Sequence, residues 1–340
     1  MKIGFVCNDV ATEEAGYTTT RLALTALEAG HEVWLLGVGD LASDPDDCVR
    51  ALARTAPKKS YRTTKTYLAD VQNAAPERIT IDELDVLMLR NDPAADLVAR
   101  PWAQTAAIMF GQRAVGRGVM VLNDPTRLAV AINKMYFQEF PEAVRPRALI
   151  SRSAEDLRNF VEQEGGRAVL KPLQGSGGSN VFLVDPKGKS NLNQIIEAVS
   201  RDGYVIAQEY LPDAQKGDKR LLLLNGEPIR CGREQVAMYK RMRPKDDIRN
   251  NMHVGGQRRR AKFTEVERRI SEILKPRLVS DGLYFVGVDI VGDKVLEVNV
   301  FSPGGIHNIN ELYSVDIAQL VIEDLEGRVA ARAAYAAVSK

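Results

Sequence analysis

The stretch VDIVGDKVLEVNVFSPGG, residues 288–305, constrains the fold more than any other. YFVGVDIV and VLEVNVF set Val, Ile or Phe on both faces of two strands around a tight turn, a pattern that argues for burial. Asp289, Glu297 and Asn299 interrupt it. A buried carboxylate costs on the order of several kcal/mol unless pairing, hydrogen bonding or a cation compensates it. Glu297 and Asn299 are two residues apart and face one side together. Asp289 joins them under one condition. A two-residue Gly292-Asp293 turn sets it opposite Leu296, whereas a three-residue loop through Lys294, or a bulge, sets it opposite Glu297. Two carboxylates and an amide oxygen, without His or Cys, form a hard-oxygen set suited to Mg²⁺, with Mn²⁺ as the alternative. Ion pairing with Lys or Arg on an exposed face is the competing explanation, and the apolar residues on both faces weigh against it.

A chain of 340 residues is too long for one core and suggests two or three units of roughly 100 to 150 residues each. KIGFVC, TTTRLALTALEAG and HEVWLLGV form a βαβ unit. LDVLMLR, the helix around PWAQTAAIMFGQRAVGRG and the strand VMVLN repeat the pattern, so residues 1–122 read as an α/β domain on a parallel sheet. The polar, weakly periodic stretch 42–80 between them reads as surface decoration. Residues 123–201 read as an α+β unit: helix TRLAVAINKMYFQEF, strand RALIS, a helix opened by Ser153, strand AVLKPL, a glycine loop, strand NVFLV and helix LNQIIEAVS. Residues 202–340 favour antiparallel strands: YVIAQEY, then RLLLLNGEPIR turning at Asn225-Gly226, then the opening hairpin. Helices near TEVERRISEILKPRLVS and SVDIAQLVIEDLEGRVAARAAYAAVSK would cover that sheet.

With 46 Lys and Arg against 45 Asp and Glu, the net charge of +1 supplies no global field for nucleic acid or an anionic membrane. QRRRAKF, without interleaved aromatics, reads as the solvated opening of a helix. Cys7, Cys48 and Cys231 are odd in number and far apart, which indicates neither a disulfide framework nor a zinc site and fits a reducing cytoplasm. The start MKIGFVCNDV is too short in apolar residues for a signal segment, and no later stretch approaches a membrane span.

VLKPLQGSGGSNVFLV places a glycine-serine loop directly after a strand, with Lys171 just inside it. A Walker loop would carry its Lys after the glycines and lead into a helix, and a dinucleotide fingerprint also needs a helix next. Here Lys171 comes first and NVFLV is a strand, so both fail on context. What remains is a glycine-rich hairpin tip whose backbone amides can close over phosphates, or an ordinary turn.

Six segments in order, LDVLMLRNDP, VLNDPTRLAVAINKMYFQEF, VLKPLQGSGGSNVFLV, AQEYLPDAQKGDKRLLLLNGEPI, RNNMHVGGQ and GLYFVGVDIVGDKVLEVNVFSPGGI, give a chain that resembles the ATP-grasp ligases, and among them the bacterial glutathione synthetase family. The resemblance implies an ATP-grasp fold with an N-terminal parallel-sheet, pre-ATP-grasp domain on the substrate side, a small subdomain carrying a glycine-rich lid and a C-terminal subdomain carrying the Mg²⁺ site. By position, Lys134 and Lys171 match the lysines that grip ATP phosphates, and Gln174, Gly175, Ser176, Gly177 and Gly178 match the lid over them. Gln208, Glu209, Tyr210 and Leu211 match the strand that reads adenine, and Asp218 lies where the nucleotide sugar is held. Asp289, Glu297 and Asn299 match the Mg²⁺ ligands. Arg220 and Arg249 match arginines that hold the acid substrate and the transferring phosphoryl group, with Asn251 on the same side, and Ser302, Gly304 and Gly305 fall in the loop that receives the peptide substrate.

The implied reaction activates a carboxylate with ATP as an acyl phosphate, which an amine attacks to form an amide. Positioning and charge neutralisation carry most of such a transfer, so no triad is required. Phe301 and Gly304-Gly305 depart from the family pattern, and residues 234–251 form a longer loop than usual, both where the acid and amine should sit. Small-molecule acid and amine substrates, γ-glutamylcysteine and glycine foremost, and a homo-oligomer are implied. A ligase acting on a protein or peptide tail, or a non-catalytic ATP-binding module, stand as alternatives.

Overall fold

A computed structural model describes residues 1–175, 180–185, 191–201, 203–233, 235–242 and 257–338. The chain opens with β1 (Lys2–Cys7), α1 (Thr18–Glu28) and β2 (Glu32–Gly37). It continues through β3 (Leu41–Ser43), β4 (Val49–Ala53), α2 (Thr64–Asn73) and β5 (Glu77–Thr80), then β6 (Val86–Leu89), α3 (Ala103–Gly116) and β7 (Met120–Leu122). Strands β2, β1, β6 and β7 lie side by side in that order, all parallel, as the two βαβ units require.

The expectation of surface decoration over 42–80 is corrected. Strands β3, β4 and β5 form a three-stranded antiparallel sheet whose Val49, Ala51 and Ala53 are buried on alternate positions, and α2 buries Tyr67, Leu68 and Val71. Short runs in which alanine alternates with Arg and Leu carry too little hydrophobic contrast for a period of two to stand out.

The second stretch comprises α4 (Pro125–Val130), a 3-10 turn (Lys134–Glu139), β8 (Ala148–Ser151), α5 (Ala154–Gln163), β9 (Ala168–Pro172), β10 (Phe182–Val184), α6 (Leu192–Ser200) and β11 (Val205–Glu209). The single helix expected over 126–140 is instead broken at 131–133. The Asn133 side chain accepts from the Met135 N–H at 2.9 Å, and the Lys134 N–H is drawn to the Leu173 carbonyl at 3.1 Å. A local side-chain bond and a tertiary one together outcompete the next helical turn. Strands β10, β9, β11 and β8 make an antiparallel sheet, so this layer reaches past residue 201. Leu157, Phe160, Leu170, Val199 and Val205 give it a core of its own.

The third sheet runs β15 (Gln257–Arg260), β14 (Met238–Met242), β12 (Asp218–Leu224), β16 (Phe285–Val291) and β17 (Lys294–Asn299), all antiparallel, with β13 (Glu227–Pro228) returning on β12. Asn225 and Gly226 both have positive φ, +50° and +77°, as a two-residue primed turn demands. Leu221, Leu223, Val286, Val288 and Ile290 pack on one face with Ile270, Leu274 and Leu278 of α7 (Glu265–Ser280). Leu222, Tyr239 and Phe285 pack on the other with α8 (Ile306–Tyr313) and α9 (Ile317–Val338). Every residue of β16 is buried, as its two-faced pattern foretold. The QRRR segment is not the opening of a helix but edge strand β15, whose Arg258 reaches Asn308 and Glu311. Among the described residues no helix is long and apolar enough to cross a membrane.

Candidate active site

The hairpin of β16 and β17 meets the condition set by its sequence through a bulge. Val291 faces Lys294 around a two-residue turn, Ile290 faces Val295, and the register then slips so that Asp289 faces Glu297, with Leu296 as the extra residue. Gly287 faces Asn299 beyond them. Asp289, Glu297 and Asn299 thus share one side of the sheet, and the Asn299 Nδ2 lies 3.4 Å from Asp289 Oδ2.

Asp289 is 4 % exposed and ties into a buried network. Arg220, its neighbour across β12, donates through Nε to Oδ1 and through Nη2 to Oδ2, the latter at 2.8 Å. Arg241 on β14 reaches Asp289 Oδ2 at 2.8 Å and holds Asp218 through two bonds of 2.7 and 2.6 Å. The four charges cancel, which is what permits their burial. Burial alone would raise the Asp289 carboxyl, but Arg220 and Arg241 outweigh it and hold it at about 2. Gly287 lets this happen: a Cβ there would lie 3.1 Å from Pro303 Cβ and 3.3 Å from Arg220 Cδ.

The site tolerates a divalent cation. A carboxylate has about four acceptor positions; at Asp289 the guanidinium groups take three and the Asn299 amide N–H, at 3.4 Å, approaches the fourth, so the open oxygens of the set are those of Glu297 and the Asn299 side chain. Among the described residues no hydrogen bond or ion pair engages Glu297, and the Asn299 carbonyl oxygen accepts none. Among the same residues no group of three or more His, Cys, Asp or Glu gathers to hold a metal, so the third oxygen of this set comes from an amide.

Across from the hairpin, Lys171 on β9 donates to Gln208 Oε1 on β11 at 2.8 Å, and Lys134 Nζ donates to the Gly175 carbonyl at 2.5 Å. Burial lowers the Lys171 ammonium to about 8, Glu297 working against that shift and Lys134 adding to it. A slot of about 150 Å³ between the small sheet and the hairpin takes in Lys134, Lys171, Gln174, Gly175 and Gln208 on one side and Glu297 and Asn299 on the other. It opens beside a cavity of about 750 Å³. The strand β11 ends at Glu209, whose carboxylate accepts from the Arg147 N–H at 2.8 Å. Tyr210 and Leu211 therefore leave the ladder and line the cavity with Asp218 and Arg220. Ser302, Gly304 and Gly305 border it as well, and Arg220 Nη1 donates to the Gly304 carbonyl at 3.2 Å.

Of the residues singled out from sequence, Ser176, Gly177, Gly178, Arg249 and Asn251 lie outside the described residues. The remainder are brought to these two spaces. Arg241 was missed: it falls in the stretch 234–251 read as a long loop, part of which is strand β14. The alternation of Met238, Tyr239, Lys240 and Arg241 was the available signal. Asn123 was missed too. Its amide accepts from the Phe285 N–H at 2.8 Å and donates to the Phe285 carbonyl at 3.0 Å, fastening the end of the parallel sheet to β16.

Two lysines facing an oxygen-bearing hairpin across a slot between two antiparallel sheets, beside a parallel-sheet domain, define the ATP-grasp ligases. Residues 133–314 match the family model "Prokaryotic glutathione synthetase, ATP-grasp domain", and residues 1–129 match "Prokaryotic glutathione synthetase, N-terminal domain". The chain belongs to the prokaryotic glutathione synthetase family and is an ATP-dependent ligase that forms amide bonds. Glutathione synthetase of Gloeobacter violaceus is 36% identical over 327 residues, covering 95% of this chain and 96% of that protein. Glutathione synthetase of Vibrio cholerae is 32% identical over 336 residues, covering 98% and 99%. Among solved structures, D-cycloserine synthetase DcsG superposes with a TM-score of 0.63 at 14% identity, covering 95% of this chain and 99% of that one. ATP-grasp ligase PsnB with its minimal precursor gives 0.60 at 18%, covering 96% and 98%. These two likenesses establish the shared fold.

Proposed function

We propose that the protein joins γ-glutamylcysteine to glycine at the expense of ATP. The observation that carries this reading is the bulge that sets Asp289 against Glu297 on the wall of the cavity that Lys134 and Lys171 also line. In this reading the acid's carboxylate takes the γ-phosphoryl group of ATP, giving an acyl phosphate and ADP. The glycine amine then attacks the acyl carbon, forming the amide, releasing phosphate and losing its proton.

Lys134 and Lys171 hold the phosphates, with Gln174 and Gly175 closing over them and Ser176, Gly177 and Gly178 completing that loop. Past the end of β11, after Gln208 and Glu209, the backbone of Tyr210 and the Leu211 N–H have no hydrogen-bond partner among the described residues and are suited to a base edge, while the Leu211 carbonyl accepts from the Ala214 N–H at 3.0 Å. Asp218, both of whose oxygens hold Arg241, keeps acceptor positions for a ribose hydroxyl. Asp289, Glu297 and Asn299 would hold Mg²⁺, which the all-oxygen set favours and which supplies charge neutralisation on the phosphates. Among the described residues three of the five N–H groups of Arg220 are engaged, leaving two for substrate on the side of Ser302, Gly304 and Gly305. Arg249 and Asn251 keep their proposed substrate roles. A cytoplasmic setting, supported by three free cysteines, and a homo-oligomer complete the reading. The test is phosphate release and product mass with ATP and Mg²⁺: release only when γ-glutamylcysteine and glycine are both present supports it, and release with neither or with an unrelated pair alone overturns it.

A further inference from the structure

The parallel sheet changes direction between β1 and β6, since the chain leaves β1 toward β2 on one side and leaves β6 toward β7 on the other. Open parallel sheets bind ligands in the crevice beyond the carboxyl ends of strands at such a point. Two charged groups outside the lysine and hairpin machinery sit there. Arg90, just beyond β6, lines the 750 Å³ cavity although it is only 4 % exposed. Its Nη2 donates to the Pro303 carbonyl at 3.0 Å, its guanidinium carbon lies 5.4 Å from the centre of the Phe285 ring, and its buried Nε has no partner among the described residues. A guanidinium so desolvated and so poorly satisfied calls for an anion.

Glu13, on the loop after β1, lines the same cavity. Among the described residues its carboxylate accepts a single hydrogen bond, from the Thr20 hydroxyl at 3.4 Å. Burial raises its carboxyl to about 7, against the pull of Arg90. The two opposite charges face each other across the cavity without closing to an ion pair at 4.0 Å or less. A group that carries an ammonium and a carboxylate on one carbon would satisfy both at once.

We propose that Glu13 and Arg90 recognise the α-amino-acid end of the acid substrate, Glu13 taking its ammonium and Arg90 its α-carboxylate. This deepens the functional reading above and rests on it, because the distal end of a γ-glutamyl peptide is such a group. Glu13 and Arg90 are therefore specificity residues remote from the reacting carboxylate, which the hairpin side of the cavity receives.

The test measures phosphate release for the unmodified protein and for Glu13→Gln, with γ-glutamylcysteine and with glutaryl-cysteine, which lacks only the ammonium. The unmodified protein should favour γ-glutamylcysteine by about 10- to 100-fold in kcat/KM, the scale of one buried charged contact. Glu13→Gln should raise KM for γ-glutamylcysteine by about tenfold or more, move kcat little and leave glutaryl-cysteine unchanged, so that the preference collapses. Arg90→Lys with 4-aminobutanoyl-cysteine, which lacks only the α-carboxylate, reads the second contact in the same way and retains a cation at the buried position. Equal effects of Glu13→Gln on both acids, or none on either, overturn the proposal. If the unmodified protein releases no phosphate with γ-glutamylcysteine and glycine, the functional reading falls separately. The same comparison is then made with whichever amino acid-bearing substrate is turned over and its des-amino counterpart, and collapse or persistence of the preference decides the proposal.

Discussion

The two carboxylates that face each other in the hairpin should differ sharply in what their loss does to the fold. Asp289→Asn removes one anion from a neutral, buried set of four. The Asp289 carboxyl stands at about 2 against an ordinary 3.8. At about 1.4 kcal/mol for each tenfold change in acidity, that difference is on the order of 2 kcal/mol. Arg220 would then be buried without a carboxylate, which places the full effect within the range of about 3–5 kcal/mol for breaking a buried pair. Because the folded value is the depressed one, this stability is fully present above about pH 4 and is lost as pH falls through about 2. Glu297→Gln removes a side chain without such partners among the described residues and should stay within about 0.5 kcal/mol. The assay is hydrogen exchange of peptides spanning 285–299 at pH 7, without nucleotide, beside phosphate release. An opening free energy lowered by about 3 kcal/mol, the lower end of that range, speeds exchange of β16 by roughly 100-fold or more, because each 1.4 kcal/mol is tenfold. Asp289→Asn should lose both protection and turnover, Glu297→Gln turnover alone. Exchange in Asp289→Asn within threefold of the unmodified protein would refute the network argument, and full activity in Glu297→Gln would refute the metal assignment.

Gly305 has φ +124°, and a Cβ there would stand 3.0 Å from Tyr239 Cε1. Gly305→Ala should therefore cost on the order of 1–3 kcal/mol and raise KM for the peptide substrate, read by thermal melting and kinetics. Glu13, faced by Arg90, Glu14, Tyr17 and Cys7, has its carboxyl raised by burial to about 7. Ammonium binding needs the anion, so KM for the acid should fall as pH rises from 6 to 8 and Glu13→Gln should flatten that profile. The same raised value makes ionisation unfavourable to the fold, so stability without substrate should decline over that range. Chelation should abolish turnover and Mg²⁺ restore it. With ADP, Mg²⁺ at a hundredfold excess over its Kd should stabilise the unmodified protein by about 2.7 kcal/mol, a gain that Glu297→Gln forfeits.

What could be read from the sequence followed from local pattern. The two-faced apolar hairpin announced its burial, and the demand that Asp289 meet Glu297 left a three-residue loop or a bulge, of which the structure has the bulge, since a period of two leaves few ways to bring those residues together. The placing of Lys171 beside a loop was legible because its context excluded better-known loops, while most of the glycine run lies outside the described residues. What stayed hidden depended on partners distant in sequence. Arg241 means little until β14 lies beside β12 and brings it to Asp218. The break before Lys134 needs the Leu173 carbonyl, and Glu13 and Arg90 meet only because β1 and β6 are neighbours in the sheet.

The Asn123 clasp has a mechanical consequence. By occupying both backbone groups of Phe285, it fastens the parallel-sheet domain directly to the strand bearing Asp289. The layer holding Lys171 has its own hydrophobic interior and takes no part in that clasp. An acid held on the parallel-sheet side would thus keep its aim at the hairpin whatever the position of the layer that grips the nucleotide.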